Sequence, residues 1–395
     1  MNALEISKGI FSVGVTNPDL RIFDIVIPTQ FGSTYNAYLV KGEKALALID
    51  TVHSEKSSEY LTDLQNVCDL SKVDYIVMNH TEPDHSGSLE KLLELAPNAK
   101  VVGTVAALKF LRAICNRDFP SITVKDGMVV DLGGKTLEFI VAPNLHWPDS
   151  MFTYVKENKL IFTCDFLGAH FCGAPMLSEV LNLDDYKSSL KLYFDCIFAP
   201  FKKFVQNGLK KIDSLNLEFV CPSHGPILDT EICQTIETYH KWSEEKSVGN
   251  TAVIAYCSAY GYTKDLARVA NDVLHAHGYT VHSFDLGVTP APLAANAANE
   301  AKLFLIGSPT LNKDALPPVW YFIAHLSAIT APKKKVGVFG SYGWTGEAVP
   351  HIVDHLKQMK FNVQGEGFRV NFKPSANELE KMKAYVEALL SESKP

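Results

Sequence analysis

A polar, patternless octapeptide, Ser243–Asn250, separates two stretches whose hydrophobic rhythm differs, and that change restricts the chain to two independently built halves. Beyond Thr251, apolar runs at Ala252–Cys257, Tyr279–Phe284, Leu303–Ile306 and Val336–Phe339 alternate with amphipathic stretches near 263–277, 317–328 and 346–358. Such alternation predicts a doubly wound parallel sheet covered by helices on both faces. Before the octapeptide the rhythm is irregular. Strands are predicted at Phe23–Ile27, Asn36–Val40, Lys44–Ile49, Tyr75–Met78, Lys100–Val102, Leu137–Val141, Met151–Val155, Leu160–Thr163 and Phe219–Cys221. Helices are predicted near 54–68, 87–96, 104–115, 185–212 and 229–242. That mixture suits an α+β sandwich of two sheets flanked by helices, followed by the α/β half. The expected domains are residues 1–248 and 249–395.

With 395 residues, each half is long enough to bury its own core. A net charge of -7, without a basic block, argues against nucleic acid as a partner. The start of the chain lacks the cationic and apolar segments of a secretory signal, and no apolar run approaches the ~20 residues that span a bilayer. The eight cysteines are scattered and form no C-x-x-C pair, which argues against an iron–sulfur module and predicts buried, reduced thiols. A cytoplasmic protein without membrane contact is expected.

The densest chemistry lies in Asn79–Ser86, where His80, Glu82, Asp84 and His85 place four potential metal ligands within six residues. His146, Asp165 and His224 recur downstream, each just beyond a predicted strand, where side chains from separate loops can converge. Imidazoles with several carboxylates and no thiolate suit iron or manganese better than a structural zinc. His80, Glu82 and Asp84 are two apart, so extended backbone sends them the same way, and Pro83 biases Glu82 toward that conformation. A helix is expected to begin at Ser86-Gly87, with Asp84 approaching its N-terminus. Any one of these residues alone reads equally well as a surface polar group; the whole set does not.

Ser258, Ala259, Tyr260, Gly261, Tyr262 and Thr263 follow the first strand of the second half and open a helix. Hydroxyls and backbone N–H groups there suit a phosphate. The run is neither G-x-x-x-x-G-K-[ST] nor G-x-G-x-x-G, which disfavours ATP and dinucleotides. Ser308 with Pro309, Thr310, Leu311 and Asn312, and the run Ser341, Tyr342, Gly343, Trp344, Thr345 and Gly346, follow the third and fourth strands. All three loops converge at the carboxyl edge of such a sheet. One phosphate pocket with nearby aromatics points to FMN, with Tyr342 or Trp344 covering the flavin ring.

Taken together, His80-Thr-Glu82-Pro-Asp84-His85 with His146, Asp165 and His224 resembles the H-x-E-x-D-H, His, Asp, His pattern of the flavodiiron proteins. Their first domain is a metallo-β-lactamase-like αββα sandwich, and Gly340–Gly346 resembles their flavodoxin-like second domain. The order, with nothing appended, is similar to the minimal class of the family. The resemblance implies two non-haem irons, His80, Glu82 and His146 on one, Asp84, His85 and His224 on the other, and Asp165 bridging. It leaves the His85 imidazole either on its iron or beside it. Also implied is reduction of O2 to water or of NO to N2O, in a head-to-tail homodimer or a dimer of dimers. Rubredoxin, a reduced deazaflavin or an NADH-linked reductase would supply the electrons. A zinc hydrolase fused to a flavodoxin is the rival, opposed by Glu82 where the hydrolytic relatives carry histidine. A non-enzymatic electron carrier with a vestigial metal site is opposed by the complete ligand set.

Three features stay open between two readings. His170 is either a partner orienting a metal ligand or a satisfied core histidine, and Tyr193 is either a proton donor or core. Lys333-Lys-Lys335 is either a dock for a small acidic carrier or a solvated turn.

Overall fold

The computed structural model describes residues 3–25, 27–244, 249–329 and 334–391. Two compact units divide after Glu244. The octapeptide expected as a linker falls partly on residues 245–248, outside the described residues.

In the first unit, a seven-stranded sheet runs in the order Leu4–Ser7, Ile10–Ser12, Tyr38–Lys41, Leu46–Ile49, Tyr75–Val77, Lys100–Gly103 and Ser121–Thr123. Its first half is antiparallel and its second half parallel. A second sheet runs Val129–Asp131, Thr136–Val141, Met151–Val155, Leu160–Cys164 and Phe219–Pro222. Their inner faces share one core, in which Tyr38, Val40, Ile49 and Val77 meet Phe139, Met151, Leu160 and Phe162. Each outer face carries helices: Ser57–Gln65, Leu89–Leu95 and Val105–Cys115 on the first sheet, Leu183–Tyr193, Lys202–Ile212 and Ile232–Ser243 on the second. The result is an αββα sandwich.

Three expectations fail locally, each for a physical reason. The helix expected over 185–212 is interrupted by a wide turn at Phe194–Phe198 and a tight one at Ala199–Phe201, because Pro200 cannot donate its amide to a helix interior. The strand expected at Phe23–Ile27 is instead a hairpin, Ile22–Phe23 against Ile27–Pro28, with positive φ at Asp24 and Ile25; Val26 lies outside the described residues. Helix starts one turn earlier than Ser86-Gly87, at Pro83–Ser86, because proline's fixed φ is pre-organised for a first helical position. Asp84 therefore leaves the extended register of His80 and Glu82.

The second unit is a parallel sheet in the order Thr280–Asp285, Thr251–Tyr256, Leu303–Gly307, Lys335–Tyr342, Asn362–Val363, with Phe368–Asn371 also pairing the Lys335–Tyr342 strand. Helices Ala291–Glu300, Pro317–Ala324 and Ala348–Gln358 cover one face, and Tyr262–Ala276 and Ala376–Leu390 the other. Counted along the chain the order is 2-1-3-4-5, the flavodoxin-like winding.

Of the lysine run, Lys333 lies outside the described residues. Lys334 is buried and its Nζ donates to the carbonyls of Ala298, Asn299 and Ala301, closing the end of one helix. Lys335 Nζ donates to the Ser391 carbonyl at the end of another. Both described lysines thus satisfy carbonyls that a helix end leaves open. The cysteines are all unpaired, but Cys196 and Cys233 are exposed rather than buried. Among the described residues no helix is long and apolar enough to cross a membrane.

Candidate metal centre and flavin loops

Four loops at one edge of the sandwich bring the seven metal candidates together. His80 follows the Tyr75–Val77 strand, and Asp84 and His85 ride the Pro83–Ser86 turn. His146 follows Thr136–Val141, while Asp165 and His224 leave the adjacent strands Leu160–Cys164 and Phe219–Pro222. Gly225 has φ +81°, and a Cβ there would sit 2.6 Å from the Ala169 carbonyl, so the turn after His224 needs glycine.

The donors form two facing sets. In one, His80 Nε2 and His146 Nε2 lie 3.3 and 3.0 Å from Glu82 Oε2, and 3.5 and 3.4 Å from Asp165 Oδ2. In the other, His85 Nε2 and His224 Nε2 lie 3.3 and 3.1 Å from Asp84 Oδ2, and 2.9 and 3.6 Å from Asp165 Oδ1. Asp165 therefore turns one carboxylate oxygen toward each set. His85 Nε2 faces inward with the other three imidazoles, while its Nδ1 has no partner.

These separations fit a pair of cations. Donor atoms about 2.1 Å from one ion, at angles of about 90–110°, lie roughly 3.0–3.4 Å apart. Both Asp84 oxygens and Asp165 Oδ2 are buried without a hydrogen-bond partner, despite the nearby imidazole nitrogens. The atoms converge on shared points instead of on one another, and buried carboxylate oxygens left that way are costly unless a cation sits among them. Burial opposes ionisation of Asp165, yet His85 and His146 outweigh it and hold the carboxyl well below its ordinary range. Burial likewise opposes protonation of His80, but Asp149 and Glu82 hold that imidazole well above its ordinary value. For His85, Asp84 and Asp165 overcome burial and raise it to about 9. Protonated imidazoles balance the carboxylates here, and cations would displace those protons.

Other residues surround these donors, and of them only His170 and Tyr193 were singled out from sequence. Asp149 is fully buried, and its Oδ2 faces His80 Nδ1 at 3.1 Å and accepts from Thr81 N and Oγ1 at 2.8 Å each. Asp50 accepts from Asn79 N at 2.7 Å, anchoring the run that carries the ligands, and burial pushes its carboxyl up to about 6. His224 Nδ1 donates to the Thr34 carbonyl at 2.6 Å. Fixing the outer nitrogen in this way aims the inner one. Asp24, at the hairpin, is pushed up by burial and by the charges of Glu82 and Asp84. His170 touches no carboxylate; its Nδ1 meets Ser33 Oγ at 2.8 Å, and that hydroxyl is 3.3 Å from His224 Nδ1. Tyr193 is core by burial, yet its ring stands 4.8 Å from His170 and 5.9 Å from His224.

In the second unit, the three loops meet at the carboxyl edge of the sheet. Thr263 Oγ1 lies 2.9 Å from Ser341 Oγ, and Thr310 N donates to the Ser341 carbonyl at 2.9 Å, tying the loops together. Ser258 Oγ accepts from Lys264 N at 3.1 Å, and Gly261, with φ +89°, precedes the helix that begins at Tyr262. Tyr260 and Trp344 are exposed, whereas Tyr342 is half-buried against Gly346. Asn312 has positive φ in the middle loop. Arg369, not singled out from sequence, donates to the Gly346 carbonyl and steadies the third loop.

Known proteins are similar to this chain in sequence and fold. A family profile described as ODP family beta lactamase matches residues 34–225, and one described as flavodoxin matches residues 254–384. The flavo-diiron protein FprA2 of Clostridium acetobutylicum is 43% identical, covering 96% of this chain and 97% of its own. A protein named nitric oxide reductase from Moorella thermoacetica is 36% identical over 95% of each chain. The solved rubredoxin oxygen:oxidoreductase of Desulfovibrio gigas superposes with a TM-score of 0.73 at 28% identity, covering 98% of both chains. With that likeness running through both units, and six candidate donors divided around Asp165, the chain belongs to the flavodiiron proteins.

Proposed function

We propose that the chain reduces O2 to water, or NO to N2O, at two irons held by the seven donors, with electrons relayed through FMN in the loops of the second unit. The division of Asp165 between two donor sets carries this reading. His80, Glu82 and His146 would hold one ion, Asp84, His85 and His224 the other, and Asp165 both. When bound, two ferrous ions and a reduced FMN together supply four electrons, the number that takes O2 to two waters, whereas two NO need only two.

The residues themselves set access and charge. His80, Asp84, His85, Asp165 and His224 side chains are at most 5% exposed, whereas those of Glu82 and His146 are 17% and 13% exposed. A small uncharged substrate therefore reaches the centre on the Glu82–His146 side. Three carboxylates largely neutralise two divalent ions and favour their higher oxidation state, a balance suited to electron transfer rather than to polarising water for hydrolysis. Thr263, Ser341 and Ser258, with the backbone around Gly261, would take the FMN phosphate, and Tyr342 and Trp344 would flank its ring. A head-to-tail homodimer, bringing the flavin of one copy to the irons of the other, belongs to the same reading. So do a cytoplasmic location and a donor such as rubredoxin, a reduced deazaflavin or an NADH-linked reductase.

Anaerobic stopped-flow of the reduced, iron-quantified protein against each gas tests the proposal. Rapid flavin oxidation by O2, with water as product, or by NO, with N2O as product, is expected. Flavin that ignores both gases in a zinc-filled protein would overturn it.

A further inference from the structure

A cavity of about 50 Å3 opens beside the metal centre, walled in part by Ile27, Gln30, His170, Ser188, Ser189 and Tyr193. Such a volume holds one or two waters, each occupying about 30 Å3 in the liquid. His170 is buried and its Nε2 has no partner among the described residues. The Thr34 carbonyl can only accept, so His224 Nδ1, 2.6 Å away, carries a proton. Ser33 Oγ lies 2.8 Å from His170 Nδ1 and 3.2 Å from the Thr34 carbonyl, so this hydroxyl satisfies His170 Nδ1 in either tautomer. His170 Nε2 is then the imidazole nitrogen left for the cavity, a donor in one tautomer and an acceptor in the other. A neutral, compact group that can both donate and accept completes the site, and water is the ligand of that description.

We propose that the cavity is a built water site through which protons enter the metal centre. This rests on the proposed reduction, which consumes four protons with four electrons per O2 and two protons with two electrons per pair of NO. Gln30 and Ser188 are exposed and open the cavity to solvent, while His170 and Ser189 are buried. Tyr193, also in the wall, stands with its ring 5.9 Å from that of the proposed ligand His224. A hydroxyl there passes a proton inward while taking one from the water, with no net change of its own. His170 holds the water in place and is a positioning residue.

Ser189 supports a direct test, because it lines the cavity without touching any of the seven donors. Ser189→Val fills the space and Ser189→Ala preserves it. A high-resolution crystal structure of the metal-free wild type should show water bonded to His170 Nε2, and Ser189→Val should lack it. In the loaded enzyme, Ser189→Val should slow flavin reoxidation several-fold and raise the solvent deuterium isotope effect, with iron content, FMN content and melting temperature unchanged. Ser189→Ala should match the wild type. A dry cavity, xenon occupying it in place of water, or a Ser189→Val enzyme with unaltered rate and isotope effect would each overturn the proposal. Wild-type protein reoxidised by neither gas removes the proton role with the parent reaction, even where the crystal shows the water.

Discussion

Asp149 lies 69 positions from His80 in sequence and is the most informative residue to change. Its Oδ2 faces three donors, His80 Nδ1, Thr81 N and Thr81 Oγ1, while its Oδ1 has no partner. In Asp149→Asn the amide oxygen can occupy the Oδ2 position and keep all three contacts. The charge is then gone, and the new NH2 falls where Oδ1 found nothing to bond. Charge-assisted bonds become neutral ones, and a buried donor goes unpaired at about 1–3 kcal/mol. About 2 kcal/mol, felt through the aim of His80, corresponds to iron binding weakened by roughly 30-fold, within the 10–100-fold range of changes behind a metal-ligating histidine. The same loss should lower the melting temperature of the metal-free protein by about 4–8 °C. Anaerobic iron titration against a competing chelator and a thermal melt read the two effects separately. Wild-type iron affinity in Asp149→Asn would refute the claim that this carboxylate aims His80.

Three further changes probe other parts of the chain. Glu82→His keeps a donor but removes a negative charge from its set, so metal analysis should show zinc gaining on iron, with reoxidation by O2 or NO lost. Thr263→Val breaks the contact with Ser341 and leaves that hydroxyl without its partner. FMN affinity, followed by fluorescence quenching, should fall about tenfold, near 1.4 kcal/mol. Lys334→Met strips three carbonyls of their donor and should destabilise the second unit by about 2–3 kcal/mol in a denaturant melt. Burial pushes the Lys334 amine down to about 8. Between that pH and the ordinary lysine value near 10.4, the unfolded chain holds a proton that the folded chain has lost. Wild-type stability should therefore gain from this group as pH rises across the window, and Lys334→Met should lack the gain.

The proposed metal ligands stood out because the loops that carry them follow strands, and strand ends are readable from local apolar runs even when their pairing is not. Their supporting residues were not legible, since Asp149 and Asp50 look like any other acid until the fold brings them to His80 and Asn79. Pro200 was visible, yet the amphipathic pattern on either side masked the break it makes. Helix Ala291–Glu300 went unread because its buried face is built from Ala294, Ala295 and Ala298, too small to stand out as an apolar stripe. Helix Ala376–Leu390 was missed despite a reciprocal capping pair between Ser375 and Glu378, a signal that the sequence did contain. The lysine run looked like a charged surface, and only the fold shows Lys334 turned inward onto a helix end.

Pro83 shows how one local preference determines the chemistry of the whole centre. In continuous extended backbone, His80, Glu82 and Asp84 would face one way and crowd two carboxylates and an imidazole onto a single ion. Proline at the first helical position turns the chain after Glu82, so Asp84 and His85 swing to the other side of Asp165. On the proposed assignment each ion would then receive two imidazoles, one carboxylate of its own and one oxygen of a shared carboxylate. Equal donor charge favours two ions of the same kind and oxidation state, whereas the crowded arrangement would give one carboxylate-rich site beside one built mainly from imidazole. The even division depends on Asp165 presenting both oxygens, and the opposed pull of His146 on one side and His85 on the other holds it there.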